Sequence, residues 1–195
     1  MKRIALAAAL SALPLVAAAQ VETYALDPYH TIPHFSLEYH GYGTLSGRFD
    51  KTSGKFTIDR TAKKGGLDFA IEAASVNTGD GDKGPRPRSR DEHLRSPDFF
   101  NVVEFPRITF KSTNVKFSGD GPAEVEGQLT LLGTTKPLIF KIDRWVCKDH
   151  PVYKKPSCGG NASAVFKRSD FGMKYGIPSM SDEVRLTTLF LAFRE

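Results

Sequence analysis

Apolar residues alternate with polar ones along most of the chain, and this spacing of two limits the folds open to it. Phe35, Leu37 and Tyr39 are each followed by a polar residue. Successive side chains of a β-strand point to opposite faces, so such a run has one apolar face that can join a core. The same alternation recurs at residues 56–58, 67–72, 108–110, 115–117, 125–131, 138–142 and 162–166, and residues 184–193 are apolar on both faces.

Turn signals separate these runs. They lie at Gly41 and at residues 51–54, 64–66, 119–122 and 133–135, and they are rich in Gly, Ser, Thr, Asp and Pro. Many short strands joined by such turns favour an all-β fold, either an antiparallel sandwich or a barrel.

Residues 1–19 have the pattern of a secretory signal peptide. Lys2 and Arg3 precede a short apolar run that is interrupted by Pro14 and ends in Ala17, Ala18 and Ala19. This run is shorter than the roughly 20 residues that a bilayer span needs. We expect cleavage after Ala19, export to the periplasm as a soluble protein, and one domain over residues 20–195; a retained membrane anchor is the alternative.

Removal of this segment takes away two basic residues and no acidic one, so the net charge falls from +5 to +3. That surplus is too small to indicate a nucleic-acid partner. The chain also has no phosphate-binding loop, dinucleotide fingerprint or nucleophile elbow, which disfavours the enzyme classes that depend on them.

One short helix is predicted at residues 90–95. Ser89 and Glu92 have the spacing of a capping box, in which each side chain bonds the other residue's backbone N–H. Pro97 ends the helix soon afterwards. Because so short a helix is unstable alone, we expect Leu94, Phe99 and Phe100 to hold it against the sheet.

Cys147 and Cys158 are the two cysteines of the chain. In an exported protein an even pair normally forms a disulfide, here across an apparent loop. On the chain-entropy account the bridge contributes about 3 kcal/mol to stability. A zinc site with His150 is the alternative, but no fourth ligand has a recognisable spacing.

The histidines do not predict a metal site. His30 and His34 stand four residues apart, which is roughly 13 Å in an extended chain and too far for one ion. We therefore expect no metal.

A basic segment at residues 83–90 contains Lys83, Arg86, Arg88 and Arg90. Such a cluster suits contact with anionic lipid at a membrane surface, at about 1 kcal/mol per basic residue. The alternative is a solvated, mobile loop that like charges and prolines keep open.

Fourteen Phe residues are present, many of them on the alternating apolar faces. The simplest interpretation is a packed core. If about eight strands close into a barrel, however, its interior is wide enough either for side chains alone or for one small ligand. Aromatic and aliphatic walls would then suit a long apolar chain.

Several motifs occur in order along the chain: YALDPYH at 24–30, RDEHL at 90–94, DFFNV at 98–102, FPRITFKS at 105–112, GQLTLLGTTKP at 127–137, KRSDFG at 167–172 and DEV at 182–184. Together they resemble the YceI-like family of exported lipid-binding proteins. The resemblance spans about residues 22–193. It implies a lipocalin-like antiparallel barrel of about eight strands, with a long pocket for a polyisoprenoid or similar lipid.

The resemblance also points to particular residues. We expect the lipid to contact residues of these motifs and of the apolar strand faces: Phe35, His40, His93, Leu94, Phe99, Phe100, Phe110, Leu129, Phe140 and Phe171. The polar signature residues, expected to fix the helix and the barrel mouth, are His30, Arg90, Asp91, Arg168 and Asp170, with Asp91 or Asp170 paired to an arginine.

Two segments, residues 79–88 and 145–160, depart from the family pattern, and either one folded over the mouth would change ligand access. The leading hypothesis is a carrier without enzymatic activity and without a cofactor other than a bound isoprenoid lipid or quinone. One alternative is an enzyme that uses His30, His93 or Asp170 as acid or base. Another is a ligand-free protective protein.

Overall fold

The computed structural model describes residues 21–195, so the predicted signal peptide lies outside the described residues. Within them the chain forms eleven strands, one α-helix and two short 3₁₀ helices. The strands are β1 (Glu22–Leu26), β2 (His34–Tyr39), β3 (Gly43–Phe49), β4 (Thr52–Asp59), β5 (Lys64–Glu72), β6 (Val76–Asn77), β7 (Arg107–Ser118), β8 (Gly121–Leu131), β9 (Thr134–Asp149), β10 (Pro156–Lys167) and β11 (Glu183–Arg194). The helix α1 is Arg90–Arg95, and the 3₁₀ helices are Ala73–Ser75 and Arg168–Phe171.

Eight strands close into an antiparallel barrel in the order β1-β4-β5-β7-β8-β9-β10-β11. The ring is completed where β11 pairs with β1, at Tyr24 with Arg194 and at Leu26 with Ala192. Closure removes the exposed sheet edges that a sandwich would leave. Of the two all-β folds that the alternation allows, a sandwich and a barrel, the chain therefore forms the barrel.

The remaining three strands extend the sheet from one side of the barrel. β2 pairs with the first part of β11, β3 pairs with β2 along its whole length, and the two-residue β6 pairs with the end of β3. β11 thus pairs with β2 through Arg185–Thr187 and with β1 through Ala192–Arg194. Residues 27–33 occupy the interval between those two pairings.

The alternation predicted from the sequence places the core. Inward residues of the barrel strands, such as Ile71, Val125 and Leu129, are buried, while Asp68 and Gln128 point outward. Two predicted turns are wrong, because residues 52–54 belong to β4 and residues 64–66 to β5. Gly54 lies inside β4 at φ 154°, where an added Cβ would clash with the Asp68 carbonyl oxygen of the neighbouring strand.

The predicted helix and its capping box are confirmed. The Glu92 backbone N–H donates to Ser89 Oγ at 3.1 Å, and the Ser89 N–H donates to Glu92 Oε2 at 2.8 Å. Arg95 ties α1 to the sheet by donating to the carbonyl oxygens of Ala74 and Val76, each at 2.9 Å. Phe99 and Phe100 follow the helix into the core.

Cys147 and Cys158 form a disulfide with an S–S distance of 2.02 Å. They face each other in the register of β9 and β10, so residues 145–160 form a β-hairpin and not the expected loop. Because both sulfurs are bonded to each other, neither is a free thiolate for the alternative zinc site.

No helix among residues 21–195 is long and apolar enough to cross a membrane.

Candidate functional site: an apolar cavity inside the barrel

A cavity of about 180 Å³ lies inside the barrel, and its wall extends from the α1 end to the opposite end. Near α1 it is lined by Leu94, Phe99 and Phe100. At the opposite end it is lined by Phe117, Pro122 and Trp145. The middle of the wall is formed by inward residues of the strands, among them Phe35, Leu129, Phe140, Ala162 and Phe190.

The chemistry of the wall is almost uniformly aliphatic and aromatic. Arg168 is the one lining residue with an ionisable side chain among the residues described. The other polar members are threonines. A wall of this kind offers apolar contact along its length, and it has no charged group free to neutralise a charged ligand.

Aromatic contacts close the cavity at the α1 end. The ring centroids of Phe49 and Phe100 lie 5.2 Å apart with an edge-to-face orientation, and Phe35 lies 5.6 Å from Phe49. All three rings are buried. Edge-to-face pairs of this kind add about 0.5–1.5 kcal/mol beyond their burial, so this end is tightly packed.

Of the ten residues predicted to contact a lipid, six line the cavity. These are Phe35, Leu94, Phe99, Phe100, Leu129 and Phe140. The strand alternation brings Phe35, Leu129 and Phe140 inward, and the helix with its following turn brings the other three to the end of the barrel. Their contact with a lipid stays a prediction.

Phe110 and Phe171 do not line the cavity, contrary to expectation. Phe110 is fully buried, with its ring over Gly127 of the adjacent strand and its centroid 5.0 Å from that of Phe140. Phe171 packs edge-to-face against Phe166 at 5.4 Å. Both therefore support the lining residues from behind.

His40 and His93 also lie outside the cavity wall. His40 is an exposed turn residue at φ 49° after β2, and its backbone N–H donates to the Ser179 carbonyl. His93 lies 2.9 Å from Asp98 through Nε2, with its ring against Phe99 and Tyr175. Its contact with Phe99 places it behind a lining residue. The His93 hydrogen bond, together with Arg88, holds the pKa of Asp98 below its ordinary value despite the opposing effect of desolvation.

Arg168 is the largest fully buried side chain among the described residues. Its guanidinium donates to the carbonyl oxygens of Ser181 at 2.9 Å, Tyr175 at 2.8 Å, Met180 at 3.2 Å and Met173 at 3.4 Å. Burial lowers its pKa from the ordinary value, and the nearby charge of Asp182 opposes that shift. Arg168 thus fixes the loop between β10 and β11.

The predicted pairing of Asp91 or Asp170 with an arginine is wrong. Asp91 is buried and accepts hydrogen bonds from the Thr78 backbone N–H at 2.9 Å and the Thr78 hydroxyl at 2.7 Å. Asp170 is exposed, and no ion pair within residues 21–195 involves it. The carboxylate whose charge acts on Arg168 is that of Asp182. Its two oxygens accept hydrogen bonds from the backbone N–H and the hydroxyl of Ser169.

The other two polar signature residues are at the surface. His30 lies 2.6 Å from the buried carboxylate of Asp27. Arg90 lies 3.6 Å from Asp80. Asp80 also accepts two bonds from Arg86, and Arg88 pairs with Asp98 at 3.2 Å. Three of the four basic side chains at residues 83–90 therefore have acidic partners, which overturns the idea of a loop held open by like charges.

Sequence reasoning missed several wall residues, notably Phe117, Trp145 and Met173. Phe117 belonged to a recognised alternating run, so its position inside the barrel was available in principle. Trp145 lies in the hairpin that was interpreted as a loop. Met173 reaches the wall from the β10–β11 loop, where its carbonyl accepts from Arg168, and no local pattern predicts that.

Comparison with known proteins identifies the relatives of this chain. Residues 24–191 match the YceI-like domain. A UPF0312 protein of Pseudomonas aeruginosa is 36% identical over 188 residues, covering 95% of this chain and 94% of its own length. The protein YceI of Salmonella arizonae is 34% identical over 158 residues, covering 80% and 78%.

Solved structures agree on the fold. BcnA of Burkholderia cenocepacia superposes with a TM-score of 0.68 at 20% identity, over 85% of this chain and 98% of BcnA. A polyisoprenoid binding domain from Saccharophagus degradans, implicated in plant cell wall breakdown, gives a TM-score of 0.62 at 17% identity, over 88% and 98%. The closed barrel, the order of the motifs and these matches together show that the chain belongs to the YceI-like family.

Proposed function

We propose that this chain is a periplasmic carrier that holds the apolar chain of a polyisoprenoid, or of an isoprenoid quinone, inside the barrel. The observation that carries the proposal is the cavity wall, which runs between the barrel ends and is aliphatic and aromatic nearly throughout. The description of the Saccharophagus domain as polyisoprenoid binding supports the choice of lipid. No further cofactor is part of the proposal.

Burial of apolar surface is sufficient to drive such binding. Transfer of about ten methylene groups from water into a barrel whose wall has moved to admit them is worth about 8 kcal/mol, at about 0.8 kcal/mol each, before the costs of association and of that movement. This binding needs no charged anchor. Arg168, the one ionisable lining residue among those described, already donates to four backbone carbonyls and is not free for a ligand.

The cavity volume sets a condition on the cargo. At about 180 Å³ it is close to that of an engineered apolar cavity that binds benzene, whereas pockets for larger ligands measure roughly 300–1,000 Å³. A long isoprenoid chain therefore requires parts of the wall to move outward when it binds.

The enzyme alternative lacks support from the geometry of its candidate residues. His30 bonds Asp27, His93 bonds Asp98, and Asp170 is exposed; none of the three lines the cavity. An acid or base must reach the reacting group within hydrogen-bond distance, which these side chains do not do here.

Native mass spectrometry of the freshly purified mature chain, followed by organic extraction, tests the carrier proposal. We expect a bound lipid with isoprene repeats, or uptake of an added isoprenoid at one molecule per chain. The variant Ala162→Phe fills the cavity from its wall and should abolish uptake. Its control, Val165→Phe, adds the same ring to the exposed face of the same strand and should bind normally.

Three results would count against the proposal: absence of lipid together with no uptake, equal binding by both variants, or chemical conversion of the lipid on incubation. The last of these would favour the enzyme alternative. Recovery of the unprocessed precursor in the cytoplasm after cell fractionation would contradict the periplasmic location.

A further inference from the structure

The barrel wall is not hydrogen-bonded throughout between β5 and β7. The two strands pair from Asp68 with Lys111 to Glu72 with Arg107. Residues 64–67 of β5 pair only with β4, and β7 beyond Lys111 pairs only with β8. We call this interval, between residues 64–67 and residues 112–118, the β5–β7 seam.

Local sequence explains why the two strands separate here. β7 has irregularities in its pairing with β8 between Ser112 and Asn114 and again between Lys116 and Phe117, which bend a strand and increase its twist. On the other side, Gly65 and Gly66 have no side chains to fill the gap. The hydrogen bond from the Leu67 N–H to Ser112 Oγ, at 2.7 Å, crosses the seam at its end next to the paired residues.

The cavity reaches the seam. Its wall includes Gly65 and Gly66 on one side and Val115 and Phe117 on the other. It also includes Thr57 of β4, which pairs with Gly66. A methyl group of Val115, 3.6 Å from the position of a Cβ at Gly65, closes the interval from inside.

A second interruption of the wall, between the two pairings of β11, is closed quite differently. Residues 27–33 act there as a substitute strand. The Asp27 N–H donates to the Leu191 carbonyl at 2.8 Å, Leu191 N–H donates to Thr31 Oγ1 at 3.2 Å, and Thr52 Oγ1 donates to the Thr31 carbonyl at 2.6 Å. Breaking this closure would leave several buried polar groups unpaired, whereas opening the seam would unpair a single partly buried N–H, that of Leu67.

One exposed contact spans the outer end of the seam. Lys63, in the turn before β5, donates from Nζ to Asp120 Oδ1 at 2.9 Å and to the Gly119 carbonyl at 2.6 Å, in the turn after β7. An ion pair this exposed contributes little to stability. It can therefore hold the turns together at rest and yield when a ligand passes.

We propose that the β5–β7 seam is the lateral opening through which an apolar chain enters and leaves the barrel, with the Lys63–Asp120 contact as its latch. The inference rests on the proposed carrier function and identifies the part of the wall that moves. Parting the seam displaces Val115, one exposed ion pair and the Leu67–Ser112 hydrogen bond, and it breaks no strand ladder. β9 and β10 also lack a ladder between residues 134–140 and 164–167, but there the 3₁₀ helix Arg168–Phe171 packs against β9 and the bonds of Arg168 fix its loop.

A covalent staple across the seam tests this. Gly66→Cys with Ser112→Cys places two thiols within bonding range, since a Cβ at residue 66 would lie 3.8 Å from Ser112 Oγ. The control staple, Ala70→Cys with Thr109→Cys, joins the same strands where they already pair. Uptake of the fluorescent polyene cis-parinaric acid and of a labelled isoprenoid is followed by stopped flow.

We expect the oxidised seam staple to slow uptake at least tenfold, and reduction to restore it. The control staple and wild type under the same reductant, which also tests the native disulfide, should stay within twofold of untreated wild type. Asp120→Asn should accelerate both uptake and release about twofold to fivefold, because it weakens the latch. Because Asp120→Asn is a single substitution, it tests the seam even if the engineered disulfide does not form.

The seam proposal is overturned if the oxidised seam staple takes up both probes as fast as the control staple. That result leaves the carrier function standing, because wild type still binds. If wild type takes up neither probe at any time, the carrier function and the seam fall together.

Discussion

The two ends of the barrel are closed by different interactions. At the α1 end, directed polar contacts add to the aromatic packing of Phe35, Phe49 and Phe100: the capping box fixes the start of α1, Arg95 bonds two carbonyls next to β6, and the buried guanidinium of Arg168 fixes the β10–β11 loop. At the opposite end, the closure consists of aromatic packing around Phe56 and Trp145, the disulfide, and the β5–β7 seam.

This difference makes one end of the barrel rigid and leaves the other end able to admit a ligand. Hydrogen bonds to buried groups fix one geometry, and each costs free energy when it is broken without replacement. Apolar contacts are non-directional and tolerate sliding. The α1 end is therefore suited to fix the position of the wall, and the opposite end to let an apolar cargo pass.

The largest expected effect comes from the α1 end. Arg168→Met keeps an apolar stem of similar length but leaves four backbone carbonyls without their donor, and we expect a loss of about 3–5 kcal/mol of unfolding free energy. Urea denaturation measures it. The control Arg185→Met, on an exposed position of β11, should stay within about 0.5 kcal/mol of wild type. A loss below about 1 kcal/mol for Arg168→Met would show that this network does not hold the end in place.

At the opposite end, the disulfide supplies the largest single contribution that we expect. Replacement of Cys147 and Cys158 together by alanine should lower the unfolding free energy by about 3 kcal/mol, because the unfolded chain gains the entropy of the opened loop. Thermal denaturation of the double variant, compared with wild type, measures it. Cavity binding of the folded double variant should be retained, so loss of uptake by a fully folded sample would place the bridge in the site itself.

A smaller effect is expected at the start of α1. Ser89→Ala removes the acceptor for the Glu92 N–H and should cost about 1 kcal/mol. Glu92→Gln keeps a side-chain oxygen for the Ser89 N–H and should be close to neutral, since glutamine also completes a capping box. Equal destabilisation by the two substitutions in urea titrations would mean that charge at the helix start matters more than the box.

The smallest effect is a pH dependence at Asp182, beside Arg168. Partial burial raises the pKa of Asp182, but hydrogen bonds from Ser169 and the charges of Arg168 and Lys167 outweigh it and hold the pKa below the ordinary value. The ionised form therefore stabilises the fold above the unfolded pKa of about 4, and this contribution is lost as the pH falls through the lower folded value.

Comparison of wild type with Asp182→Asn measures this contribution. The difference in unfolding free energy should be constant near neutral pH and should shrink below about pH 4. A difference that grows on acidification would contradict the assigned direction of the pKa shift.

Local patterns predicted much of this structure because the causes are local. The capping box of α1 lies within four residues, and strand alternation correctly placed Phe35, Leu129 and Phe140 inward. The same pattern was unable to distinguish a ring that faces the cavity from one beneath it. Phe110 also points inward, but it lies over Gly127, a contact between strands that the alternation along one strand does not contain.

Contacts distant in sequence account for the rest. The glycines at 65 and 66 were interpreted as a turn, but pairing with Ile58 and Thr57 makes them part of β5. The partners of Arg168 lie 5 to 13 residues away and are backbone carbonyls, which have no signature in side-chain sequence. The aspartate expected to pair with an arginine was likewise held by Thr78.

If an isoprenoid chain binds inside the barrel, its protons lie close to those of the inward side chains, and this proximity is measurable. Isotope-filtered NMR of the labelled protein with an unlabelled isoprenoid detects protein protons close to the ligand. We expect contacts from the isoprenoid methyl groups to Phe35, Leu129 and Phe140. Contacts confined to exposed residues such as Tyr42 or Val103, with none to the interior, would contradict it.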